Sequence, residues 1–316
     1  MEEKQVNWKR VGLYILFAYG IAWLTGLVIY LRGGLFDSPE IVPGSGITEA
    51  TILLATGYMF APAISHILTR LVTREGWKNI WLKANLKIGW PYWLAGWFGT
   101  AALILLSAVL YFLIFPKYFD PSMAALKDMI TQQEAVTGQP MPFSISTFVA
   151  LQIGLGILIS PIANLVPVLG EEFGWRAYLQ PKLLPLGRRK ALLLTGLIWG
   201  FWHAPVIAMG HNYGLEYPGA PWTGILVFTL VPVAYSVFFG WAALQARSVW
   251  PAVIGHSVLN GLAAAVIFFV QGEPNPLLGP TAAGLIGSVG FTLVAILILQ
   301  RPGQESAQSE LEETAV

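Results

Sequence analysis

The sequence predicts an all-α protein, a polytopic transmembrane helical bundle of about eight spans with both termini cytoplasmic. Three observations carry that prediction. The 316 residues are 55% hydrophobic and 11% charged, against roughly 25% charged in ordinary soluble domains. The mean hydropathy is +0.63, and apolar runs long enough to cross a bilayer as helices recur along the chain. Lys and Arg are strongly biased to one set of the connecting loops, which fixes an orientation.

The apolar segments cover 11–31, 49–69, 91–116, 146–170, 191–210, 223–244, 251–270 and 281–300. The first follows Lys9 and Arg10 and precedes LRGGLFDS. That sequence offers no small-residue cleavage site, so the segment reads as a retained span and not as a signal peptide. Strand-like alternation is weak and the apolar runs are long, which favours helices over a transmembrane barrel. No internal repeat is visible, so an inverted-repeat transporter gains no support. With the N-terminus inside, 14 of the 18 Lys and Arg lie in the cytoplasmic set, while only Arg32, Lys117 and Lys127 lie opposite. Residues 71–90 and 180–190 are therefore expected in the cytoplasm and 211–222 on the other side. GLFDSPEIVPGSG and the longer connection from Lys117 to Phe143 read as outer loops, the second holding a short helix. Residues 1–301 form one expected membrane-embedded domain, its chemistry concentrated in a core at 146–275. The remainder, 302–316, reads as a disordered polar tail.

Composition also excludes. A net charge of +1 and no basic patch give no reason to expect nucleic acid as a partner. Without Cys there is no disulfide framework, thiol nucleophile or thiolate metal site.

Charged groups within hydrocarbon cost a few kcal/mol or more, so they usually face a protein interior or a cavity. LVPVLGEEFGWRAYL, residues 165–179, places Glu171, Glu172 and Arg176 at the end of an apolar run. Adjacent helical residues point about 100° apart, so the two carboxylates cannot face one cavity equally. Glu172 and Arg176, at i and i+4, are spaced as a same-face ion pair. Glu171 is then free to face neighbouring helices. His203 in GLIWGFWHAPV is a second such site, and GHSVLN, with His256 and Asn260 on one helical face, is a third. His66, in APAISHILTR, is a fourth. Counted from the basic stretch 188–190, His203 is about 20 Å deep, and His256 lies under ~10 Å past Pro251. The three elements are expected to meet in the cytoplasmic half of the bilayer. A carboxylate in a partly dry cavity can take a proton from water, imidazole can orient that water, and a His–Asn pair can donate to an oxyanion. Glu and two His are equally a Zn²⁺ set with water in the fourth position, although no H-E-x-x-H is present.

Together, Glu171-Glu172-x-x-x-Arg176, an aromatic-x-x-x-His ending at His203, and His256-x-x-x-Asn260 resemble the three motifs of the CPBP family. These are the CAAX type II prenyl-endoprotease and bacteriocin-processing intramembrane proteases, also called the Abi family. The family's second motif usually begins with Phe, whereas Trp199 stands there in this chain. The resemblance implies peptide-bond hydrolysis within the membrane, in a cavity open to the cytoplasmic side. Glu171 would activate water with help from His203, His256 and Asn260 would stabilise the oxyanion, and Glu172 with Arg176 would hold the site together. Its members are often named metalloproteases, yet a metal-free glutamate mechanism is also argued for them. The expected enzyme is thus an intramembrane endopeptidase of the cell membrane, multi-pass, acting on a peptide or membrane-protein substrate. It requires no cofactor or, alternatively, uses Zn²⁺. His66 and His211 match no motif and are left out of the site. Competing readings are a non-catalytic membrane scaffold or chaperone of the same fold, and a proton-coupled transporter using Glu171 and the histidines as a relay.

Overall fold

A computed structural model describes residues 5–301; the expected polar tail at 302–316 lies outside the described residues. The chain is an all-α polytopic bundle. Its long helices are α1 (Trp8–Leu31), α2 (Glu49–Val72) and α3 (Leu86–Ile114). The short helix α4 (Ala124–Thr137) follows in the outer connection, as expected there, and then α5 (Ile145–Leu158) and α6 (Leu165–Gly174). The remaining helices are α7 (Arg188–Trp202), α8 (Trp222–Ala246), α9 (Trp250–Leu262) and α10 (Val289–Gln300).

Local chemistry sets several starts. The side chains of Asn7, Thr48 and Ser144 accept from the first-turn N–H groups of α1, α2 and α5, and such caps stabilise a helix by about 1 kcal/mol each. Asp120 does the same ahead of α4, accepting from the N–H groups of Ser122 and Ala124 at 2.8 and 2.7 Å.

Among the described residues, five helices are long and apolar enough to cross a membrane: α1, α2, α3, α8, and α9 extended by a 3-10 turn to Phe269. Their outward faces carry exposed apolar side chains, including Leu16, Leu24 and Leu27 on α1 and Leu105, Val109 and Leu113 on α3. Contiguous exposed apolar surface of this kind fits a hydrocarbon solvent and not water.

Three of the expected spans are not continuous helices; of 281–300 only Val289–Gln300 is helical, the residues before it forming turns. The segment 146–170 breaks between α5 and α6, through a short turn at Ser160–Ala163. Pro161 has no N–H to continue the ladder, and polar side chains fill the break. Asn164 Nδ2 donates to Ser160 Oγ at 2.8 Å, and Ser160 Oγ donates to the Ser257 carbonyl of α9 at 2.5 Å. The segment 191–210 likewise stops at Trp202, and a second short helix, Ala204–Ala208, carries Pro205 in its first turn. The Trp202 carbonyl instead accepts from Tyr58 Oη at 2.7 Å and Trp23 Nε1 at 3.1 Å.

Helices α7 and α8 approach backbone to backbone. Gly196 meets Val233 and Ser236, and Gly200 packs on the carbonyls of Phe228 and Thr229. A methyl at either glycine would collide with the α8 backbone, which is the small-xxx-small logic of membrane helix pairs. Pro232 inside α8 withholds the N–H that would otherwise meet the Phe228 carbonyl, leaving it to the glycine face of α7.

The bundle has two distinct ends. At the basic end, Glu75 gathers Lys182, Arg70 and Arg10 at 2.6, 3.6 and 3.6 Å. Val249 N–H and Trp250 Nε1 strap the connection between α2 and α3 to the start of α9 through the carbonyls of Trp81 and Leu82. At the other end, Arg32 and Glu49 form a bidentate pair at 2.8 Å. There the Phe119 and Val270 backbones bridge, and Tyr213 Oη donates to the Ala283 carbonyl at 2.7 Å.

Candidate active site

The site grows from the least regular helices of the bundle. Helix α6 lies flush against α2 because Gly170 and Gly174 have no side chains. A Cβ on Gly170 would lie 2.8 Å from the Met59 carbonyl, and one on Gly174 would overlap Pro62 and come within 2.5 Å of the Tyr14 hydroxyl. This close seat drives Glu171 and Glu172 into the protein, where both are buried along with Arg176. Past Gly174 the helix widens into a π turn, Trp175–Leu179, a local geometry often found at functional sites.

Arg176 Nη1 donates to Glu172 Oε1 at 2.9 Å, the expected i, i+4 pair. The same oxygen also accepts from His256 Nδ1 at 2.8 Å. Glu172 thus holds both the arginine of its own helix and the histidine of α9, a link the spacing did not show. Glu171 turns away from this pair and accepts from Trp199 Nε1 through Oε2 at 2.8 Å. Arg176 lies over the Trp199 ring, 4.4 Å from its centroid.

His203 closes α7, its Nδ1 2.9 Å from the Trp199 carbonyl one turn back. A carbonyl can only accept, so Nδ1 carries the proton and Nε2 is left with its lone pair. The carboxylate on His256 Nδ1 fixes the proton there by the same logic, again leaving Nε2 uncommitted. Such anchoring of one ring nitrogen fixes the orientation of the other.

Glu171, His203, His256 and Asn260 all line one cavity of about 370 Å³; Glu172 and Arg176 stand behind it. That volume falls in the range of small-ligand pockets, about 300–1,000 Å³. Trp199, Trp202, Tyr58, Phe228 and Tyr235 supply apolar wall. His211 and Asn212 belong to the lining too. Sequence reasoning passed over both, because they lie in a connection after the helix and match no motif. His66, also left out, is occupied elsewhere: Arg70 Nε donates to its Nε2 at 2.6 Å, and its Nδ1 is 2.8 Å from the Phe173 carbonyl.

The cavity was expected in the cytoplasmic half of the bilayer, open to that side. Its lining corrects this: it runs through Ala264, Ala282, Ala283, His211 and Asn212, which belong to the end opposite Glu75. The reason is helix length. Helix α7 starts at Arg188 and has 15 residues, about 22 Å at 1.5 Å each, which carries His203 to the far end.

Among the described residues, no three His, Asp or Glu side chains gather as a set that could hold a metal ion. Glu172 Oε1 is shared by Arg176 and His256, which sets Glu172 to bracing rather than to ligation.

Fold and site define a multi-pass helical membrane protein with an acid–imidazole–amide cluster around one buried cavity. A family model described as type II CAAX prenyl endopeptidase Rce1-like matches residues 152–262, a stretch holding all six expected site residues. The CAAX prenyl protease 2 of Methanococcus maripaludis is 32% identical over 94 residues, 28% of this chain and 34% of that protein. The chain thus aligns with about a third of this relative's length. The two matches support the resemblance to the CPBP family.

Proposed function

We propose that the chain is an intramembrane endopeptidase of the cell membrane that hydrolyses peptide bonds with water activated by Glu171, without a metal ion. One observation carries the reading: the buried carboxylate of Glu171, two imidazoles with anchored Nδ1 atoms and the Asn260 amide share one cavity inside an apolar bundle.

In the proposed reaction a water sits between Glu171 and His203 Nε2. Glu171 takes one proton as the oxygen attacks the substrate carbonyl carbon. The tetrahedral oxyanion is stabilised by Asn260 Nδ2–H and by His256, which Glu172 holds through Nδ1. The C–N bond then breaks, and Glu171 passes its proton to the departing amine. Glu172 and Arg176 touch no reacting atom and hold His256 and α6 in place. The basic end faces the cytoplasm, so substrate reaches the cavity from the opposite end or from the bilayer. The substrate is a peptide in the membrane.

The test is cleavage of a peptide library by the purified chain beside Glu171→Gln. The variant keeps the shape but cannot accept a proton, so turnover falls at least ~10²-fold. Wild-type activity survives chelation at sub-stoichiometric metal content. Retained turnover in Glu171→Gln, or reversible loss on chelation and readdition of zinc, overturns the mechanism.

A further inference from the structure

Resting on the peptidase reading, we infer that Trp199 is a positioning residue that orients the carboxylate of Glu171. Its indole N–H donates to Oε2 at 2.8 Å, so that oxygen is committed. Glu171 Oε1 makes no hydrogen bond among the described residues. One side of the carboxylate is held and the other is left for the cavity.

The same side chain reaches the other site groups. Its ring face carries the Arg176 guanidinium at 4.4 Å. The His256 ring meets it edge-on, centroids 5.1 Å apart at 70°. His203 stands 5.9 Å away at 61° and bonds to its backbone carbonyl. Trp199 itself is buried at 3% exposure. A carboxylate can swing about its last torsion, and a fixed donor on one oxygen removes that freedom before substrate arrives. An aromatic wall alone would not need the nitrogen. Phe keeps a ring to pack under Arg176 while deleting the donor and one ring of the indole, and the unfolding arm reads the packing lost with that ring.

The experiment is a double-mutant cycle of Trp199→Phe with Glu171→Gln, read in kinetics and in thermal unfolding. With the Glu171 background intact, Trp199→Phe lowers kcat about tenfold while KM stays within about twofold, since the lost bond serves the chemical step and not binding. In the Glu171→Gln background the same change has no further effect on kcat, because there is no base left to orient. An equal fall in both backgrounds, or a change confined to KM, overturns the inference and leaves Trp199 as wall. If Trp199→Phe does not accumulate, Trp199→Met goes through the same cycle. The unfolding arm separates the two layers of the argument. In that arm Glu171→Leu replaces Glu171→Gln, because Gln keeps an oxygen that accepts from the indole. Additive melting shifts with Trp199→Phe then overturn the Trp199–Glu171 bond whatever the activity, whereas a wild type that cleaves no peptide overturns the peptidase reading.

Discussion

Glu75 and Glu172 each hold an arginine inside the bundle, but their surroundings differ. Glu75, at the basic end, is surrounded: Lys182, Arg70, Arg10 and the Tyr178 hydroxyl converge on its two oxygens, at 2.6–3.6 Å. Glu172 has one oxygen used twice, by Arg176 and His256, while its Oε2 and the Nε and Nη2 of Arg176 have no protein partner among the described residues. The first cluster ties α1, α2 and the segment after α6 together with an excess of cations near water. The second ties a helix to an imidazole deep in the protein, with nothing to spare. A carboxylate placed to brace is saturated; one placed to support chemistry keeps only the contacts that aim its neighbour.

Breaking the inner cluster should cost most. Arg176→Met strands a buried carboxylate, and removing one partner of a buried pair typically costs about 3–5 kcal/mol. Loss of folded protein on size-exclusion chromatography is the expected result, and normal yield would show that Arg176 is not the brace. Next come changes on the cavity side. Asn260→Ala should lower kcat on the order of 10²-fold with an unchanged melting temperature, because it removes an oxyanion donor from a side chain that makes no protein hydrogen bond among the described residues. A fall in stability with intact turnover would move Asn260 out of the site.

The outer cluster should respond more gently, and to pH. Burial alone would raise the Glu75 carboxyl, but the Lys182 hydrogen bond, the charges of Lys182 and Arg70, and Tyr178 outweigh it and hold Glu75 below the usual carboxylate range. A depressed folded-state value means that the group stabilises the fold at neutral pH and loses that contribution as pH falls below about 4.3, the ordinary glutamate value. Wild type should therefore lose more melting temperature between pH 7 and pH 4 than Glu75→Gln does. Equal losses would remove Glu75 from the account. The smallest effect belongs to the exposed pair at the far end. Arg32→Ala should leave the melting temperature unchanged within error at 0.5 M salt, despite good bidentate geometry, because solvent screens it.

The same contrast explains how much the sequence revealed. The long helices α1 and α8 were legible to within three residues at each end, and α3 to within five, because long apolar runs admit few alternatives. The i, i+4 pair of Glu172 and Arg176 followed from spacing. The breaks at Ser160–Ala163 and at His203 did not, since Pro161 and Pro205 lie in runs whose composition alone still reads as spanning. Nor did the His256–Glu172 contact, which depends on how α9 packs against α6. Trp199 was noted only as an aromatic; that its nitrogen meets Glu171 depends on the rotation of α7. The cavity was expected in the cytoplasmic half although the ~20 Å counted for His203 already lies past the middle of a hydrocarbon core about 30 Å thick.

The contact of Gly196 and Gly200 with α8 has a consequence for anyone mapping this protein by saturation mutagenesis. Neither glycine has chemistry to offer, yet any side chain at either position pushes α7 off the α8 backbone and shifts His203 with it. Both should score as intolerant as Glu171 in an activity screen. Read alone, such a screen would enlarge the apparent catalytic set with residues that only permit close approach. A parallel abundance screen separates the two: glycine variants drop out of the folded pool, while Glu171→Gln remains in it and is silent.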